Sequence, residues 1–191
     1  MSNGSHPLDG LEFAQKLSVI RAACRGMMVI LAGIAFGFSL VVYFALDGIA
    51  LAGNMVSVGG VSILAIGAGV LTPFVLLVAW KLGQSKRDAA VRKLAAVHPE
   101  VVGSEAESEG LLDAYAGGKF TEYAITTGVG FVWAVVFHVI SSPLMLLWIA
   151  VLIGFLAWRF PTVSNAKSWY DMAVQQLVRL RESKRNLPES T

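Results

Sequence analysis

Apolar positions in this chain come in long blocks, at residues 27–46, 59–80 and 124–158, separated by segments in which apolar and polar residues recur with helical spacing. The first block, MMVILAGIAFGFSLVVYFAL, has 20 residues. At about 1.5 Å rise each it matches a hydrocarbon core of about 30 Å, so it predicts a membrane-crossing helix. The second, GGVSILAIGAGVLTPFVLLVAW, predicts another, with a kink at Pro73 where Thr72 or a neighbour satisfies the freed carbonyl. Between them, Asp47, Gly48, Gly53 and Asn54 mark a loop without Lys or Arg.

The third block runs for 35 residues without Lys, Arg, Asp or Glu, too many for one ordinary span and barely enough for two. Charge decides between them. All 15 Lys and Arg fall before the first block, between the second and third, or after the third. Two crossings put every one on a single face, which the positive-inside rule makes cytoplasmic, whereas one crossing would put six outside. Ser141, Ser142 and Pro143 supply the turn, with Ser142 as N-cap and Pro143 at the first helical position. Each arm is then short, so this hairpin either thins the bilayer locally or stops inside it as a wedge.

The polar segments predict helices of their own. Phe13, Leu17, Ile20 and Cys24 form one stripe, and Val91, Leu94 and His98 another that Pro99 ends. GSEAESEG, at 103–110, reads as a flexible linker. In the tail, Trp169, Met172, Ala173, Gln176, Leu177 and Leu180 form the apolar side of an amphipathic helix able to dock on a partner or on the chain itself. The expected fold is therefore an all-α membrane protein: four transmembrane helices as two hairpins, both termini cytoplasmic, with amphipathic cytoplasmic helices. Its segments are 1–26, 27–80, 81–123, 124–158 and 159–191. LVAWKL at 77–82 and FLAWRF at 155–160 hint at a repeat of one plan, although Trp followed by a basic residue is also a common membrane-interface anchor.

Composition agrees with a lipid solvent, since 55% of residues are apolar, 15% are charged and the mean hydropathy is +0.65. A net charge of +2 is too small to suggest nucleic acid. The polar N-terminal segment and the long first block do not make a secretory signal, so the first helix is expected to remain as an anchor. Cys24 is the single cysteine, excluding an intramolecular disulfide; acylation beside Arg25 at the membrane boundary competes with the plainer expectation of a buried thiol.

Candidate chemistry is sparse. His138 is the one His, Asp, Glu, Lys or Arg inside a predicted span, and a metal or haem would need a second ligand that His6, His98 and Cys24 are too distant to give. Asp47 and His138 fall at the same end of their helices, where a pair would be pH-sensitive if the first and third spans pack together. Small residues at four-residue spacing mark Gly33, Gly37, Gly69, Gly130, Ala134 and Gly154 as helix-packing positions. Neither a nucleophile, a phosphate loop nor a chelating motif is present, so no cofactor or metal is expected and an enzyme is the weaker class.

These observations point to a non-catalytic scaffold or accessory subunit of a membrane complex, its partners the bilayer and either further copies of itself or another membrane subunit. The tail surface would be Trp169, Met172, Leu177 and Leu180. Two other classes compete: a membrane-shaping hairpin protein using residues 124–158 as a wedge, and a small oligomeric channel or transporter lined by Thr72, Thr126, Thr127 and His138.

Overall fold

The first apolar block lies inside a longer helix rather than beginning one. The computed structural model describes residues 11–45, 57–58, 61–97, 105–140 and 142–185. Helix α1 (Leu11–Ile30) continues through a π-helical segment (Leu31–Gly37) into α2 (Phe38–Ala45). The widened turn is visible where the Phe38 N–H donates to the Gly33 carbonyl, an i→i+5 bond. Phe13, Leu17, Ile20 and Cys24 are buried along α1.

The fold is all-α apart from a two-residue antiparallel ladder, β1 (Ser57–Val58) with β2 (Val61–Ser62). Helix α3 (Ile63–Val97) begins after that ladder, and the expected helix start at Gly59 lies outside the described residues. Helix α3 is a single element of 35 residues, joining the second apolar block to the polar helix expected after it. Nothing between Trp80 and Lys86 forces a break: Gly83 costs a helix about 1 kcal/mol, far less than a proline.

Helix α4 (Glu105–Ile140) corrects the expected linker, because GSEAESEG is helical from Glu105 onward. Glu107 and Glu109 lie in its first turns, where carboxylates suit the positive end of the macrodipole. The polar pattern also hid a buried stripe of Leu111, Leu112, Ala114 and Tyr115 just beyond. The 35-residue run is broken as the turn residues predict, with α5 (Pro143–Trp158) starting after Ser142. Ser142 has extended N-cap backbone angles, but its side chain makes no capping bond; its carbonyl instead accepts from the Met145 N–H at 3.0 Å.

After α5 the chain breaks again before α6 (Val163–Arg185). The two Trp-basic motifs diverge here, since Gly83 follows two residues after Lys81 where Pro161 follows two after Arg159. Proline has no N–H to continue α5, and Thr162 restarts the helix by accepting the Asn165 N–H on its hydroxyl at 3.2 Å.

The chain packs as two units, one polar and one apolar. The polar unit comprises Met1–Ala22, Leu82–Phe120 and Pro161–Thr191; the apolar unit comprises Ala23–Lys81 and Thr121–Phe160. The apolar unit exposes Val29, Ile34, Phe38, Val70, Phe74 and Val135, among others, which is the surface a bilayer would cover. Three helical stretches, Phe13–Val41, Ile63–Ala96 and Glu107–Val139, are long and apolar enough to cross a membrane, and a fourth is reached if α5 and α6 count together. This is compatible with an integral membrane protein.

Candidate functional site

The apolar unit holds a carboxylate that reading residues 124–158 as charge-free spans does not anticipate. Glu122 is fully buried, and its Oε1 accepts from Arg159 Nε at 2.6 Å. The neighbouring Tyr123 hydroxyl donates to the Leu156 carbonyl at 2.6 Å. Two polar ties thus join the start of this unit's α4 segment to the end of α5. Glu122 precedes the expected span at 124–158, and its charge is matched there by Arg159. The guanidinium also lies over the exposed Trp158 ring at 5.9 Å, and Lys81 lies over Trp80 at 5.4 Å, so both Trp-basic motifs form cation–π pairs.

Deeper in that unit, the packing glycines separate into two groups. A side chain at Gly130 would run into Leu31 and one at Gly69 into the Trp148 ring, and Ala134 is buried. At Gly33 and Gly154 a Cβ would meet nothing within 4 Å, and at Gly37 only its own helix's Ala32 carbonyl at 3.4 Å. Indole hydrogen bonds reinforce the close contacts: Trp148 Nε1 donates to the Ala65 carbonyl at 3.0 Å, and Trp133 Nε1 to Thr72 Oγ1 at 3.2 Å. Thr72 in turn donates to the Ala68 carbonyl at 2.7 Å, rather than to the Gly69 carbonyl that Pro73 deprives of a donor.

His138 is half-buried between Phe38 and Phe137, each with ring centroids 5.5 Å away. Its expected companion Asp47 lies outside the described residues. Cys24 is fully buried, so it does not offer an accessible thiol. Among the described residues no three of His, Cys, Asp and Glu come together as a metal ion would require.

In the polar unit, α6 buries Ala166, Tyr170, Ala173 and Leu177. The buried stripe is therefore turned from the one expected. Leu177 lies at its centre, Trp169 and Leu180 lie at its edge, and Met172 is 59% exposed. Tyr170 explains the turn, because its ring packs inward while its hydroxyl shares a hydrogen bond with Ser108. Trp169 stacks beside Tyr115 at 5.4 Å, and Arg181 pairs with the buried Glu107 at 3.4 Å. Arg181 is thereby turned toward Glu107, its side chain only 9% exposed. Lys16 and Glu109 form a further pair, both exposed enough for solvent to leave it little energetic weight.

Burial, then the charges of Glu107 and Asp171, raise the Tyr170 phenol above its ordinary value, against the lowering effect of the Ser108 bond. Unfolded chain ionises this group near pH 10, whereas the folded chain holds the proton to higher pH. The associated stability is complete below that pH and falls as pH rises toward the folded value. Melting measured from about pH 9 to about pH 11 is expected to fall more steeply for the natural chain than for Tyr170→Phe.

An open groove of about 480 Å³ lies between the polar parts of α3 and α4. Ala90, Leu94 and Ala114 form its apolar floor, with Lys86 and Lys93 on one rim and Asp113 on the other. The helices touch on either side of it. Leu94 packs where a Gly110 side chain would be, and a Cβ on Gly118 would stand 2.7 Å from the Gly83 carbonyl.

Two sequence signals could have found the polar features. Glu122 and Arg159 lie at nearly equal distances on either side of Ser141, so an antiparallel hairpin brings them together. Gly83 with Gly118 and Leu94 with Gly110 are spaced as partners on two antiparallel helices, but that relation appears only once 105–110 is taken as helical. Comparison of the chain with protein-family models, curated proteins and solved structures returned no match.

Proposed function

We propose that the protein is an integral membrane scaffold or accessory subunit. In this reading four membrane helices form two hairpins, both termini lie in the cytoplasm, and the polar helical unit is a docking body for another membrane subunit or a further copy. One observation carries it: the polar unit is assembled from three segments separated along the chain by the apolar blocks. Segments on opposite sides of a bilayer do not pack into one unit. Charge supports the same arrangement, since 12 of the 15 Lys and Arg belong to that unit and Arg25, Lys81 and Arg159 lie near the ends of the apolar one.

Topology is tested by cysteine labelling in a Cys24→Ala background. Single cysteines at Asn54 and Ser142 are expected to react with an impermeant reagent from the outer side, and one at Ser183 is not. Reaction at Ser183 would overturn the arrangement, and silence at Ser142 alone would favour the wedge. Function is tested by purification in mild detergent, with protein mass determined by light scattering. A complex larger than the 20.4 kDa chain is expected, and a lone monomer with nothing co-purifying would count against the scaffold.

A further inference from the structure

The α3–α4 groove has the features of a receptor for one particular kind of helix. Lys86 and Lys93 stand a heptad apart on α3, which at about 1.5 Å per residue separates them by about 10 Å along one face. Among the described residues neither lysine makes a hydrogen bond or ion pair, and neither does Asp113 on the facing rim. The floor between them is small and apolar, with Ala90, Ala114 and the open Gly117 letting a backbone approach closely. Unpaired charges flanking a shallow apolar channel between antiparallel helices favour an extended amphipathic partner, since a compact small molecule is usually enclosed.

We propose that this groove binds an amphipathic helix of a partner subunit, one carrying two carboxylates seven residues apart beside its apolar stripe and a basic residue on the stripe's other edge. The carboxylates meet Lys86 and Lys93, and the basic residue meets Asp113. Apolar side chains at i, i+3, i+4 and i+7 cover Ala90, Leu94 and Ala114. The charge pattern also fixes the direction of the bound helix, because reversing it places like charges together. This inference rests on the scaffold reading and gives its partner a chemistry.

The test uses the full chain in nanodiscs of zwitterionic lipid and a synthetic helical peptide with a Leu/Ala stripe, Glu at two positions seven apart and Lys on the opposite edge. Saturable binding is expected, weakened at least tenfold in the Lys86→Glu, Lys93→Glu variant. A peptide with Lys in place of its two Glu should recover binding to that variant. Gly117→Trp should block the groove from a position where a Cβ meets nothing within 4 Å, leaving the melting temperature unchanged. No saturable binding up to about 1 mM, or equal affinity for the natural and charge-reversed proteins, would overturn the proposal. So would equal uptake by empty nanodiscs, which would assign the peptide to lipid. The mass measurement stands apart: a monomer that binds the peptide retains the groove while losing the scaffold, and a complex indifferent to it does the reverse.

Discussion

Glu122→Ala is expected to leave Arg159 half-buried without its carboxylate and to destabilise the protein by about 3–5 kcal/mol, the usual cost of breaking a buried ion pair. Glu122 is fully buried, while the Arg159 side chain is 25% exposed, so the cost falls mainly on a guanidinium that water only partly reaches. The pair's Nε–Oε1 bond of 2.6 Å has a second, longer companion from Arg159 Nη2 to Oε2 at 3.4 Å, giving the fork two points of attachment. Removing both charges is a different perturbation. Glu122→Leu with Arg159→Leu trades desolvated charge for apolar contact and is expected to cost less than Glu122→Ala alone. Melting of Glu122→Leu, Arg159→Leu and their double variant, beside Glu122→Ala, in one detergent checks this, and a double variant as unstable as the sum of the two leucine singles would show that the pair contributes no coupling.

This pair also shows which parts of the molecule can be read from its residues. The apolar blocks, the break at Ser142 and the all-helical character follow from hydropathy and turn chemistry, which act over a few residues and leave a local signature. Helix continuity is less local. Residues 103–110 read as a linker because small and acidic residues without apolar periodicity satisfy water as readily as a helix. The helicity of 105–110 depends on what these residues meet, notably Arg181, which lies 74 residues from Glu107. The tail stripe differs from its expected position for a related reason. Hydrophobicity alone ranks Met172 above Tyr170, but the tyrosine finds a hydrogen-bond partner in Ser108 and can be buried, whereas Met172 faces outward. The groove has no local signature for the same cause, being made by two faces that come together only because α3 and α4 extend beyond the apolar blocks.

Replacing Gly118 with leucine is expected to be the most damaging of the glycine substitutions, because the obstruction is backbone. The added side chain would meet the Gly83 carbonyl at 2.7 Å as well as the stem of Arg87, so α3 and α4 must separate where they now touch. Overpacking typically costs about 1–3 kcal/mol, and the upper end or more is expected where no flexible group can yield. Gly130→Leu tests the contrast. There the obstacle is the Leu31 side chain, whose end can rotate, so a smaller loss is expected even though Gly130 is equally enclosed. Gly33→Leu gives the third level, since its Cβ meets nothing within 4 Å and the isolated chain should melt unchanged. If Gly33→Leu leaves melting intact but reduces the mass of the purified complex, its face contacts another chain; if both are unchanged, that face meets lipid. An order of losses other than Gly118, Gly130, Gly33 would mean that helix separation is cheaper in the polar unit than its close Gly83–Gly118 approach implies.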